Sequence, residues 1–285
     1  MKNKIILGTV QLGMPYGINN RSGRPPEKEA LDILDFAFDN NIDTLDSADN
    51  YGEALQVIGK HRRATGRTFQ IINKFKVDTV PLTEKLMRSL SILGIDSLAC
   101  YMYHQFADYT AGTVRKELQS LKQRGVIQKI GVSVYSTDEL ATIIADADVD
   151  IVQLPVNILD LSAEKEGILM RAKKSGKEIH ARSVFLQGLL VKDPASLQGN
   201  LTDMRVYLEK VRSLADAAGT TVTKLALNYI LANESIDKVV LGVEQVQQLR
   251  ENLSLVDPGF AADNVGRIEI DPRDRHLLNP VNWKI

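Results

Sequence analysis

One stretch of the chain places a carboxylate and a phenol where they could move a proton: Asp46-Ser47-Ala48-Asp49-Asn50-Tyr51, closed by Gly52. A phenol has an unperturbed pKa of roughly 10 and is a poor acid at neutral pH unless a neighbouring cation stabilises its anion. Two later residues could complete such a site, Lys74 after Phe69-Gln70-Ile71-Ile72-Asn73 and His104 after Ser97-Leu98-Ala99-Cys100-Tyr101-Met102-Tyr103. Lys74 beside Tyr51 would favour the phenolate, Asp46 would hold the lysine charged and oriented, and His104 could donate a hydrogen bond to a substrate carbonyl. Tyr51 would then be a general acid for carbonyl reduction and a general base for alcohol oxidation. The hydride has to come from a nicotinamide, because side chains carry none. Taken singly, a lysine after a strand is usually solvated and a histidine beside a tyrosine usually only packs; joint placement is what matters.

The elements that would position these residues alternate. Short apolar runs of strand type fall at 5–8, 42–46, 69–73, 97–103, 127–132, 149–154, 179–182 and 238–241. Helical periodicity falls at 27–40, 52–64, 83–93, 111–124, 137–145, 163–174, 202–218, 223–232 and 246–255. The strands are short and unalternating, as parallel strands covered by helices should be. Eight such units in 285 residues predict an α/β TIM (β/α)8 barrel as a single domain. No composition break marks a second domain, and the stretch 258–285 is expected as a tail packing on or near the barrel mouth. In this fold the site lies at the C-terminal strand ends. Asp46, Lys74, His104, Ser133, Gln153 and Ser183 stand at or just past the predicted ends of strands two to seven.

Composition narrows the alternatives. The chain is 44% hydrophobic and 25% charged with net charge −1, which gives no support for nucleic-acid binding. One cysteine, Cys100, excludes an intrachain disulfide and a cysteine metal cluster, and no metal site is expected. Neither a signal peptide nor an apolar run long enough to span a membrane is seen. The expectation is a cytoplasmic protein, a monomer or small homo-oligomer, whose partner is a small carbonyl or alcohol.

The pattern resembles the aldo-keto reductase superfamily over nearly the whole chain. That family's motif Asp-Thr-Ala-x-x-Tyr-Gly is matched by Asp46-Ser47-Ala48-Asp49-Asn50-Tyr51-Gly52, its lysine by Lys74 and its histidine by His104. The resemblance implies a catalytic tetrad of Asp46, Tyr51, Lys74 and His104. It also implies NADP(H) or NAD(H) bound across the barrel mouth, consistent with the lack of a Gly-x-Gly-x-x-Gly turn after a strand. By the same resemblance Ser133 and Gln153 meet the nicotinamide carboxamide. Ser183, Phe185, Gln187 and Gly188 belong to the pyrophosphate loop, and Gly242, Glu244, Gln248, Glu251 and Asn252 to the adenosine segment.

Three positions depart from the family pattern. Val134 replaces the usual asparagine after Ser133. Arg182, a cofactor-binding candidate, stands where an aromatic often stacks on the nicotinamide, and a guanidinium can stack on a flat ring. Glu244 and Gln248 occupy places where NADPH-binding relatives carry Arg or Lys, with Arg250 close enough in sequence to compensate. A carboxylate repels a 2′-phosphate and can accept from ribose hydroxyls, which moves the expectation toward dual use or NADH. Rival readings are a catalytically weak nicotinamide-binding regulatory barrel, and a Schiff-base aldolase using Lys74 as nucleophile. Tyr16, Asn157, Gln187 and Trp283 are candidate pocket residues, and the polar loops 13–26 and 186–202 point weakly to a sugar-like substrate.

Overall fold

A computed structural model of the chain describes residues 1–20, 23–262 and 265–284. Eight parallel strands close into a barrel in sequence order. They are β1 Ile5–Gly8, β2 Thr44–Ala48, β3 Gln70–Phe75, β4 Leu98–Tyr103, β5 Ile127–Ser133, β6 Ile151–Pro155, β7 Glu178–Arg182 and β8 Lys238–Gly242. The single turn α1 (Val10–Gly13) and then α2 (Glu27–Asp39) follow β1, and α3 (Ala54–Thr65) and α4 (Leu82–Leu93) follow β2 and β3. After β4 come α5 (Phe106–Ala111) and α6 (Arg115–Gln123), followed by α7 (Thr137–Ile143) and α8 (Ala163–Lys174). Next are α9 (Arg205–Ala217) and α10 (Val222–Leu231), and α11 (Val246–Ser254) closes the ring. Among the described residues no helix is long and apolar enough to cross a membrane.

The structure adjusts the expected boundaries in ways that matter for the site. β2 runs on to Ala48 and β3 to Phe75, so Asp46 and Lys74 lie within strands rather than beyond them. Gln153 likewise lies within β6. The helix expected at 111–124 begins only at Arg115, as α6, and the separate short helix α5 before it ends where Gly112 turns left-handed at φ 65°. The helix expected from 202 begins as a 3-10 stretch, Gly199–Met204, before α9.

Register fixes which residues point inward. Gly8 pairs with Asp46, Asp46 with Ile72, Ala48 with Lys74 and Lys74 with Met102. Ser133 pairs with Gln153, Gln153 with His180 and Pro155 with Arg182. Partners in a parallel ladder share a face and alternate residues face the same way. The interior therefore holds an apolar plug of Ile6, Ile72, Cys100, Met102 and Ile151. Above it, toward the strand C-termini, comes a polar layer of Asp46, Lys74, Ser133 and Gln153, all buried.

The tail of 258–285 includes residues 263, 264 and 285, which lie outside the described ones. Elsewhere it is pinned to the segment around α9. The Tyr207 hydroxyl donates to Asp274 at 2.7 Å, Asn200 exchanges bonds with Asn282 and Lys284, and Leu277 is buried. Trp283 donates its indole N–H to the Leu277 carbonyl at 2.8 Å.

Two glycines let the β1 loop touch the Tyr51 loop backbone to backbone. A Cβ on Gly13 would fall 1.8 Å from the Tyr51 carbonyl oxygen, and one on Gly52 would fall 2.3 Å from that of Gly13. Gly13→Ala is therefore expected to push the Tyr51 loop outward. The cost should reach at least the roughly 1–3 kcal/mol of overpacking, read as a lowered denaturation midpoint. A variant as stable as the parent would show that this contact is not tight.

Candidate active site

The site is assembled on strands β2, β3 and β6. The Lys74 ammonium donates to Asp46 Oδ1 at 2.5 Å and reaches the Tyr51 hydroxyl at 3.4 Å. Gln153 donates through Nε2 to the other Asp46 oxygen at 2.7 Å. Both carboxylate oxygens thus have donors, which a buried anion requires. Burial would lower the Lys74 pKa, but the Asp46 carboxylate and the Tyr51 oxygen together outweigh it and the ammonium titrates above its usual range. Lys74 is therefore a fixed cation, 5.4 Å from the centroid of the Tyr51 ring.

His104 follows β4 and meets Tyr51 edge to face, ring centroids 5.9 Å apart at 84°. Burial, then the charges of Lys74 and Lys76, push its pKa down to about 4, so the ring is neutral near pH 7. Its Nδ1 is buried without a partner among the described residues. A buried N–H with no acceptor is costly, so the neutral ring keeps its proton on Nε2. Tyr51, Lys74, Asp46 and His104 are thus brought together as the sequence predicts, with Gln153 added behind Asp46.

The loop that presents Tyr51 is tied down by groups that sequence reasoning passed over. Thr9 donates twice to the Asp46 carbonyl, through N at 2.9 Å and Oγ1 at 3.0 Å. Asp49 donates its N–H to the Lys74 carbonyl at 2.9 Å. Its carboxylate gathers Asn73 at 2.7 Å, Ser89 at 3.0 Å and Tyr101 at 3.4 Å. The available signal was Asp49 itself, an acid inside the motif with no chemical task.

The remaining candidates ring the mouth. Ser133 ends β5 and is buried. Gln153 keeps its Oε1 buried and without a partner among the described residues. Gln11, also missed in the sequence, has a buried unpartnered Oε1 and lies so close over Gly242 that a Cβ there would come within 2.5 Å of it. Arg182 ends β7 with its guanidinium 4.3 Å over the Tyr135 ring. Ser183, Leu186 and Gln187 adopt left-handed backbone, at φ 61°, 48° and 52°. From there Gln187 reaches across to the β1 loop. Its Nε2 donates to the Tyr16 hydroxyl at 2.7 Å and its carbonyl accepts from Ile18 at 3.1 Å, while Asn19 donates to Gly188 at 2.8 Å.

On the far rim Gln248 Oε1 accepts from the Glu244 N–H at 2.7 Å. Glu251 accepts from Gln247 at 2.8 Å. Arg250 does not turn toward Glu244; its guanidinium stacks 4.6 Å from the Phe36 ring on α2. Asn157 is fully buried, accepting from the Leu159 N–H at 3.0 Å and leaving Nδ2 without a partner among the described residues.

Residues 4–270 match the profile of the Aldo/keto reductase family. The chain is 24% identical to the Bacillus subtilis uncharacterized oxidoreductase YqkF, over 87% of this chain and 89% of that protein. It is 28% identical to the NADH-specific methylglyoxal reductase of Escherichia coli K12, over 62% of this chain and 59% of the relative. It is 24% identical to the L-glyceraldehyde 3-phosphate reductase of E. coli O157:H7, over 98% and 91%. Among solved structures, the holo form of the aldo-keto reductase AKR11C1 from Bacillus halodurans superposes with a TM-score of 0.71 at 20% identity, covering 96% of this chain and 90% of that one. A barrel closed in sequence order and a profile match from residue 4 to residue 270 give the same answer: the chain belongs to the aldo/keto reductase family.

Proposed function

We propose that the protein is a nicotinamide-dependent carbonyl reductase in which Tyr51 is the proton donor. The observation that carries this is the buried chain Gln153–Asp46–Lys74–Tyr51, with neutral His104 against the same phenol. Nicotinamide, when bound, supplies the hydride that becomes the new C–H bond. Tyr51 gives its proton to the carbonyl oxygen, and the Lys74 ammonium stabilises the phenolate that remains. His104 donates from Nε2 to the same oxygen as negative charge develops there. Alcohol oxidation reverses these roles. The Schiff-base reading fails on the same geometry, because an ammonium held by Asp46 has no lone pair with which to attack.

The mouth suits a nicotinamide cofactor on its own evidence. The buried Oε1 atoms of Gln153 and Gln11 are acceptors lacking donors, and the carboxamide N–H2 group is such a donor. Ser133 on β5 lies in register with Gln153 and adds a hydroxyl. Glu244 favours NADH over NADPH on the family resemblance, which aligns its carboxylate with the place where a 2′-phosphate would need a cation. Arg250 is committed to Phe36. The NADH-specific name of one relative agrees with that preference.

Tyr51→Phe should cut turnover by roughly 10²–10⁴-fold, the usual worth of a general acid, with NADH affinity by fluorescence titration within a few fold; unchanged turnover removes Tyr51 from the role. Glu244→Lys should shift the NADPH-to-NADH affinity ratio toward NADPH by roughly tenfold, about the worth of one charge-assisted contact. A ratio that stays put would mean that this segment does not face the ribose.

His104 yields a stability prediction with a definite sign. Its folded pKa of about 4 lies below the ordinary 6.5, so the unfolded chain takes up the proton first on acidification. Stability from this group is present above pH 6.5 and is lost as pH falls toward 4. Between pH 7 and 4.5 the loss is about 2–3 kcal/mol. Denaturation curves of the wild type and His104→Gln at both pH values should show a smaller acid loss in the variant. Equal losses would place the ring in a more solvated setting.

A further inference from the structure

At the end of β7 stands a cation outside the proton relay. Arg182 pairs with Pro155, two residues beyond the Gln153–His180 pair, so it shares the inward face with Gln153 on the next strand. Its guanidinium lies 4.3 Å over the Tyr135 ring, and its protein hydrogen bonds are long, 3.4 Å to the Val134 carbonyl and 3.5 Å to the Ser183 hydroxyl. Among the described residues no carboxylate forms an ion pair with it: Asp46 is held by Lys74 and Asp160 by Lys165, while Glu244 lies out beside Gly17 in the β1 loop. The Arg182 charge acts on Lys74, His104 and Tyr16, so it stands beside the relay rather than out on the rim.

A nicotinamide fits the same place. Its carboxamide has acceptors in the buried Oε1 atoms of Gln153 and Gln11, and the carbon that gives the hydride must touch a carbonyl whose oxygen lies on Tyr51 and His104. A ring so held has Arg182 as its neighbour. That ring is neutral when reduced and carries a positive charge when oxidised. A guanidinium accepts a neutral, electron-rich ring on its face but repels a cation, and no carboxylate paired with Arg182 cancels the repulsion. We propose that Arg182 makes this mouth select the reduced cofactor over the oxidised one, which sets the protein as a carbonyl reductase rather than an alcohol dehydrogenase. This rests on the reductase reading above. Such a site loads the hydride donor even where oxidised nicotinamide is in excess, and it lets the oxidised form go once the hydride has left. The pyrophosphate cannot produce this bias, because it has the same charge in both forms.

Equilibrium binding tests this without turnover. Calorimetry should find NADH bound about 10- to 100-fold more tightly than NAD+, the order expected of one unpaired charge close by in a partly wet site. Tenfold corresponds to about 30 mV in the bound two-electron couple. In Arg182→Met the ratio should fall about tenfold, mainly because NAD+ binds more tightly. Arg182→Lys keeps the charge and should retain most of the ratio. ADP-ribose, which has the pyrophosphate but no nicotinamide, should bind wild type and Arg182→Met within a few fold. Equal affinities for NADH and NAD+ in the wild type, or a ratio that Arg182→Met leaves unchanged, overturn the proposal and leave the reductase reading standing. Parallel weakening of NADH, NAD+ and ADP-ribose in Arg182→Met assigns the cation to the pyrophosphate or to the fold, and overturns it too. If neither this pair nor its 2′-phosphorylated counterpart binds the wild type, the reductase reading falls and the proposal with it.

Discussion

Everything at the barrel mouth depends on one buried ion pair, Lys74 with Asp46. Two charges taken out of water lose several kcal/mol of hydration each, and their attraction repays this only when the geometry is good and the leftover donors and acceptors are filled. Here they are filled with little to spare. Asp46 takes Lys74 on one oxygen and Gln153 on the other, and Lys74 spends a second donor on Tyr51. Removal of either partner from such a pair typically costs about 3–5 kcal/mol, because the survivor is left charged and buried. A pair this expensive to assemble is weak evidence for stability. Its product is a cation fixed beside a phenol.

The barrel wall makes that cation effective. Beneath the polar layer lies the apolar plug of Ile6, Ile72, Cys100, Met102 and Ile151, which keeps water from reaching the pair from below. At the opposite end of the interior a second charged group, Lys129–Glu178–His180, closes the strands' N-terminal ends. The bond from His180, and then that from Lys129, hold the Glu178 carboxyl down at about 2 against its burial. The two charged layers are chemically alike but differ in consequence. In the lower one the carboxylate is shared by a histidine and a lysine, with the His180 Nδ1 left buried and without a partner among the described residues. In the upper one the lysine also faces a phenol, and the neighbouring glutamine keeps a buried acceptor unfilled.

What the sequence made legible, and what it hid, follows from how locally each feature is specified. The eight strand-like runs and the meeting of Asp46, Tyr51, Lys74 and His104 could be read because apolar runs, turn residues and the Asp46–Tyr51 motif are local. The depth of Asp46 and Lys74 within their strands could not, because β2 and β3 continue through polar residues whose pairing is set by neighbours across the sheet. Gln153 was expected to face a cofactor. That its amide also donates to Asp46, 107 residues away in the chain, depends on barrel closure and leaves no local trace. Arg250 shows the converse error: nearness in sequence to Glu244 suggested compensation, but one helical turn carries it round to Phe36. The later start of the helix expected at 111–124 was announced by Gly112, which caps the short helix α5 before it.

The rim after β7 shows how the mouth is held in shape. Ser183, Leu186 and Gln187 occupy a backbone region that costs of order 1–3 kcal/mol for each non-glycine residue and persists only where the surroundings over-determine it. Here two kinds of contact do so. Leu186, Leu189 and Leu190 are buried against the barrel, which fixes the inner side of the turn. Tyr16, Ile18 and Asn19 bond to Gln187 and Gly188, which fixes the outer side. Gln187 carries both features, since its backbone holds part of the strain and its side chain and carbonyl form two of the three ties across the mouth.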